Sequence, residues 1–172
     1  MFNRLYPDYY IHSVYDVDFE KLYRRGFRAA LFDIDNTLVL HEEPATEKAK
    51  ELIKTIHAAG MMAYLISNNN EPRVRIFADD AGLDGYIHKA HKPLPDAYLM
   101  ACKRLSVIRT QAIFFGDQLF TDIWGARNAG ICSVLVQPVG PEIYLKIKIK
   151  GVLEKPILAA YKRKHPRLDD LS

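Results

Sequence analysis

Five short apolar runs, spaced by stretches with helical periodicity, constrain this chain more than any other feature. AALFDI (29–34), MMAYLIS (61–67), GYIHKA (85–90), AIFFGD (112–117) and SVLVQ (133–137) have the length and bounding turn residues of strands. After the first, Ala45, Ala49, Leu52, Ile53 and Ile56 recur at helical spacing, with Pro44 near the start and Gly60 past the end. After the second, Asn70 stands as a cap and Pro72 in the first turn, Val74, Phe77, Ala78 and Ala81 share one face, and Gly82 closes. Further helices are predicted from Pro95 to Leu105 and near Asp122 to Ala129. The alternation predicts a doubly wound α/β fold with a mostly parallel sheet.

The 172 residues, 49% hydrophobic and 26% charged, suffice for one sizeable core. The expectation is a single domain over 1–172, with an aromatic-rich lead-in (1–26) and a basic extension (141–172). No apolar run approaches the roughly 20 residues that span a bilayer, and MFNRLYPDYY lacks a signal peptide's apolar region, so the expected location is cytoplasmic. Cys102 and Cys132 form no CxxC pair and read as reduced core residues. A net charge of +3 is too small to argue for nucleic acid.

AALFDIDNTLVL (29–40) sets two carboxylates, Asp33 and Asp35, where a buried strand ends. Ionised groups there need a partner, and two of them attract a cation. In a doubly wound fold ligands gather beyond the carboxyl ends of the strands. Ser67 and Asn68 end the second run, Gly116 and Asp117 the fourth, and Lys92 lies in the HKAHKPLPD connection. Each has an ordinary reading as a helix cap, a surface lysine or a turn former. Their shared position at strand ends favours a site.

DIDNT (33–37), SN (67–68), KP (92–93) and GDQLFTD (116–122) resemble, in order, the four motifs of the haloacid dehalogenase (HAD) phosphatase superfamily, over residues 27 to 137. The lead-in LYPDYYIHSVYDVDFEKLYRRGFRAALFDIDNTLV looks like that of the YqeG-type phosphatases of class IIIA, some relatives of which dephosphorylate phosphatidylglycerophosphate. The resemblance implies a Rossmann-like HAD fold and a phosphomonoester hydrolase. Asp33 would be the nucleophile that forms an aspartyl-phosphate, and Asp35 the general acid/base. Mg²⁺ would be held by Asp33, the backbone carbonyl of Asp35, and Asp117. Ser67 and Asn68 would bind the phosphate, and Lys92 would neutralise it and position Asp33. Asp122 would support the metal site from behind the ligands or cap the helix beginning there.

An acid at position 35 favours a phosphatase over a dehalogenase, because an alkoxide leaving group benefits from protonation and a halide does not. A response-regulator receiver places its phosphorylated Asp after a later strand, which is not the order here. The competing readings are a catalytically decayed HAD-fold binding module and a phosphoprotein phosphatase. Between Asp35 and the second run there is space for one helix, and between Ser67 and Lys92 for one helix and a short strand, so no cap domain is expected. An open site suits a macromolecular or membrane-surface phosphate, or cover by a second copy in a homo-oligomer.

The N-terminal aromatics Phe2, Tyr6, Tyr9, Tyr10, Tyr15, Phe19 and Tyr23 read as packing over the sheet edge or a helix, with a lipid-contact stripe as the alternative. From Pro141 to Arg167 eight basic residues (Lys146, Lys148, Lys150, Lys155, Lys162, Arg163, Lys164, Arg167) face two acids, Glu142 and Glu154. The alternation of Leu145, Ile147 and Ile149 with Lys146, Lys148 and Lys150 suits a strand, but the family resemblance implies helices, and two short helices split near Gly151 are expected there. With interleaved Ile143, Leu145, Ile147, Ile149, Leu153, Ile157, Leu158 and Tyr161, the segment is a candidate for peripheral contact with the anionic inner face of a membrane, the alternative being a solvated face of a docked helix.

Overall fold

The computed structural model describes residues 5–140, 145–165 and 168–172, with residues 145–153 described by their backbone alone. Six strands form one sheet: β1 (Tyr9–Ile11), β2 (Ala29–Phe32), β3 (Met62–Ile66), β4 (Tyr86–Ile87), β5 (Ala112–Gly116) and β6 (Cys132–Val136). The order is β1-β6-β5-β2-β3-β4, and every pairing is parallel. The sheet is therefore parallel throughout, with a sixth strand where the apolar runs predict five. The chain builds outward from β2 through β3 to β4, then returns to lay β5 and β6 on the other side. Its direction reverses between β2 and β5, the place where such folds bind ligands.

Alternation along the strands assigns the two faces. Ala30, Phe32, Ile113 and Phe115 point to one core, with α1 (Phe19–Arg24), α2 (Glu47–Ala58) and α3 (Glu71–Ala81). Ala29, Leu31, Ala112 and Phe114 point to the other, with α4 (Asp96–Arg104) and α5 (Trp124–Ala129). Burial on both faces is why these strands read as continuous apolar runs. Asn70 caps α3 by accepting the Arg73 N–H, and Gly82 ends it at φ 76°, a left-handed conformation suited to glycine.

The helix expected from Asp122 begins instead as a wide π-type turn, Leu119–Ile123, which runs into α5. Gly125 lets α5 approach α4, since a Cβ there would lie 2.5 Å from the Tyr98 hydroxyl. Only α2 lies between β2 and β3, and only α3 and β4 between Ser67 and Lys92, so neither interval holds a cap domain.

Most of the described N-terminal aromatics pack within the protein. Tyr10 and Phe19 are buried, Tyr6 and Tyr10 meet Tyr161 edge-on, Tyr9 accepts from Arg25, and Arg28 lies over Tyr23. Phe2 lies outside the described residues. At the other end one helix, α6 (Leu145–Lys164), runs unbroken through Gly151 and Pro156, which corrects the expected split. Ile157 and Tyr161 are buried against Tyr10, Leu119, Ile123 and Leu135, with Leu158 packed beside them. These three residues face the domain and are lost to any membrane-facing apolar stripe. Pro141, Glu142, Ile143 and Arg167, with the side chains of Leu145 through Leu153, lie outside the described residues. The final segment runs beside β1: Asp169 donates its N–H to the Tyr10 carbonyl at 2.8 Å, and Leu171 is buried in the core. No helix among the described residues is long and apolar enough to cross a membrane.

Candidate active site

Asp33, Asp35, Ser67, Asn68, Lys92 and Asp122 meet in one cleft of about 210 Å³ beyond β2, β3 and β5, with Asp117 buried beside Asp33 and Asp122. Asp33 follows β2, and its N–H donates to the Phe115 carbonyl of β5 at 3.0 Å, which fixes the carboxylate over the reversal point. Lys92 arrives from the loop after β4 and is buried. Its ammonium donates to Asp33 Oδ1 and to Asp122 Oδ1, each at 2.6 Å. Burial alone would favour the neutral amine, but the two acids outweigh it and hold the lysine charged.

Asp122 sits in the π-type turn. Its second oxygen accepts from the Gln118 N–H at 3.1 Å, and Tyr98 donates toward the Thr121 and Asp122 carbonyls from behind. Asp122 thus closes the turn and pairs with Lys92; it does not cap α5, whose cap position is Ile123. Gly116 makes room for it, because a Cβ there would lie 2.5 Å from the Asp122 Cβ.

Asp33, Asp117 and Asp122 are buried together, and one oxygen of each lies within 4.8 Å of the others. Three acids share a single ammonium. Burial pushes Asp33 up to about 7 in spite of Lys92, and burial with the neighbouring Asp122 and Asp33 raises Asp117 well above the carboxylate range. Asp117 Oδ1 has no hydrogen-bond partner among the described residues. An unpartnered buried carboxylate oxygen in a cluster whose acidic donors are all carboxylate oxygens fits a hard divalent cation. The cluster includes Asp122, for which the resemblance implies support behind the ligands or a helix cap.

Asp35 lies at the mouth and is partly buried. Burial would raise its pKa, but donors outweigh it and hold the carboxyl below its ordinary value: the Asn69 amide at 2.6 Å, the Glu42 N–H at 3.0 Å and the Arg73 guanidinium at 3.0 Å. Ser67 is buried at the end of β3, its Oγ accepting the Asn69 N–H at 3.2 Å. Asn68 turns its side chain to the Lys92 backbone, accepting the N–H at 2.8 Å and donating to the carbonyl at 3.4 Å. It therefore holds the loop that carries Lys92. Asn69 and Arg73 are the groups that motif reading missed; no local signal marks them, because the acid they hold is 34 and 38 residues away.

A family model described as haloacid dehalogenase-like hydrolase matches residues 39–130. The chain is 33% identical over 159 residues to the probable phosphatase YqeG of Bacillus subtilis, and the match covers 92% of each chain. The chain belongs to the haloacid dehalogenase-like hydrolases. It is a HAD-family phosphatase with a Rossmann-like α/β fold. A more distant relative is phosphatidylglycerophosphate phosphatase 1 of Arabidopsis thaliana, 28% identical over 72% of this chain and 38% of that protein. The fold also matches that of the deoxy-D-mannose-octulosonate 8-phosphate phosphatase of Haemophilus influenzae, with a TM-score of 0.55, 16% identity and coverage of 76% of this chain and 77% of that one.

Proposed function

We propose that this HAD phosphatase is a Mg²⁺-dependent phosphomonoester hydrolase that works through an aspartyl-phosphate on Asp33. One observation carries the reading: Lys92 spans Asp33 and Asp122 at 2.6 Å each, beside an Asp117 oxygen with no partner. An Asp33 oxygen attacks phosphorus as the ester P–O bond breaks, and Asp35 gives its proton to the departing alkoxide. Asp35 then takes a proton from water, the water oxygen attacks phosphorus, and the bond to Asp33 breaks to release inorganic phosphate. Lys92 and Ser67 hold the phosphoryl oxygens, and Asn68 keeps Lys92 in place. Mg²⁺ would be held by Asp33, Asp117 and the Asp35 carbonyl, with Asp122 at its margin, and when bound it supplies positive charge that lets an anionic nucleophile approach a phosphate dianion.

The resting preference of Asp35 for its ionised form suits the water-activating half. For the first half, the arriving phosphoryl dianion favours the protonated acid. A decayed binding module would have no use for so complete an arrangement. The cleft, about 210 Å³ and lined mostly by polar groups, is smaller than a pocket that encloses a drug-sized ligand, so a large substrate would extend outside it. The Arabidopsis relative's name supports phosphatidylglycerophosphate as the first substrate to test. Phosphate release should be measured with and without Mg²⁺ on phosphatidylglycerophosphate, phosphopeptides, sugar phosphates and nucleotides. Asp33→Asn should abolish release on every active substrate while the protein stays folded; retained turnover would refute the nucleophile, and release without divalent metal would refute the cofactor.

A further inference from the structure

The chemistry proposed above gives no task to several polar side chains at or beside the cleft, among them Asn69 and Arg73. Both are aimed at Asp35. Its Oδ1 accepts from the Glu42 N–H and Arg73 Nη2, each at 3.0 Å, and its Oδ2 accepts from Asn69 Nδ2 at 2.6 Å. Three donors from two stretches, Glu42 on one and Asn69 with Arg73 on the other, thus converge on one carboxylate, which fixes both its position and its rotation.

Arg73 is itself held. Its N–H donates to the Asn70 cap, and its guanidinium lies 5.5 Å from the ring of Phe77, one helical turn on and fully buried. Its Nε is buried with no hydrogen-bond partner among the described residues. A buried donor left unpaired is unfavourable, so the side chain is not arranged for the largest number of bonds. It is arranged to place Nη2 on Asp35. Asn69 joins three parts of the site: its N–H donates to Ser67 Oγ at 3.2 Å, its carbonyl accepts the Lys89 N–H at 2.9 Å in the loop that leads to Lys92, and its amide reaches Asp35.

We infer that Asn69 and Arg73 are positioning residues that set the aim of the Asp35 carboxylate at the leaving-group oxygen, with Asn69 tying that aim to the phosphate-binding Ser67. The inference rests on the reading of Asp35 as general acid/base. A proton donor must come within about 2.6–3.2 Å of the oxygen it serves, and a displacement of about 1 Å can lower the rate about a hundredfold. Leaving groups that need no proton are spared most of that loss.

The test compares p-nitrophenyl phosphate with an alkyl phosphate such as glycerol 3-phosphate, using the full chain with Mg²⁺ and the variants Asp35→Asn, Arg73→Met, Arg73→Lys and Asn69→Ala. Asn69→Ala keeps the backbone bonds to Ser67 and Lys89 and removes only the reach to Asp35. Arg73→Met and Asn69→Ala should lower kcat on the alkyl ester at least about tenfold more than on the aryl ester, with KM nearly constant. Arg73→Lys should recover part of the difference, and Asp35→Asn should show the same selectivity in larger degree. Should Arg73→Met not fold, Asn69→Ala and Arg73→Lys still decide. Equal losses on both esters in the Asn69 and Arg73 variants, with a selective loss in Asp35→Asn, overturn the inference alone. An equal loss in Asp35→Asn overturns both the acid role and the inference.

Discussion

The ammonium of Lys92 stands 2.6 Å from a carboxylate oxygen of Asp122, as near as it stands to Asp33. The lysine is therefore a bridge between two buried acids, and Asp33 is held through it by Asp122, a residue four positions into the turn after Gln118. Removing one partner of a buried pair costs about 3–5 kcal/mol, because the other charge stays desolvated. Asp122→Ala should lower unfolding stability by that order and reduce turnover at least about tenfold. Urea unfolding together with phosphate release checks both; an unchanged midpoint would mean that Lys92 is satisfied by Asp33 alone.

Asp117 adds a third buried carboxyl beside Lys92, and burial with Asp122 and Asp33 disfavours its ionised form. Asp117→Asn removes the cost of burying that acid, so the metal-free variant should be more stable than the parent by about 1 kcal/mol, although it is inactive or nearly so. Mg²⁺ should raise the melting temperature of the parent and leave that of the variant unchanged. Thermal unfolding in EDTA and in Mg²⁺ reads the two effects separately.

The raised Asp33 carboxyl gives the metal-free protein an unusual pH dependence. Burial holds this group at about 7 in the folded chain, against about 4 in the unfolded one. The folded state binds the proton more tightly, so the stabilising contribution is complete below about pH 4 and is lost as pH rises through about 7. Asp117 shifts in the same direction. Metal-free protein should be measurably easier to unfold in urea at about pH 8 than at about pH 5, and saturating Mg²⁺ should flatten that difference.

Gly116 is needed for space rather than for backbone freedom. A methyl group there would meet the Asp122 Cβ and Cγ at 2.5 and 2.6 Å, and both ends of that contact are buried. Gly116→Ala should displace Asp122, lower stability by about 1–3 kcal/mol, and weaken Lys92's hold on Asp33. Activity falling further than Gly125→Ala causes, at matched loss of stability, would tie the effect to the site; Gly125 abuts Tyr98 and lies outside the cleft.

Periodicity made β2, β3, β5, β6 and α2 to α4 legible, because burial on two faces leaves a local imprint in the residues themselves. β1 escaped notice: it is three residues long, and its pairing with β6 is a relation across the whole domain. In α6 the alternation of Leu145, Ile147 and Ile149 with lysines mimics a strand, and the buried contacts of Ile157 and Tyr161 reveal the docked helix. Among site residues, those at strand ends were legible and those aimed at other side chains were not. Ser67, Asn68, Asn69 and Asn70 show the difference. Four neighbours of similar chemistry face the cleft, clasp the Lys92 backbone, hold Asp35 and cap α3, and only the first and last of those tasks follow from position in the chain.

The pairing of β1 with β6 also sets an order of events during synthesis. Asp8 reaches its bonding partner Ser133 across 125 residues, and the intervening chain supplies every other strand of the sheet. At ribosomal rates the N-terminal strand waits roughly ten seconds for β6, during which β2 to β5 can already associate. The nascent enzyme thus passes through a stage in which its catalytic strands are assembled while one margin of the sheet stands unpaired, and that margin is where a chaperone or a second nascent chain would find its hold.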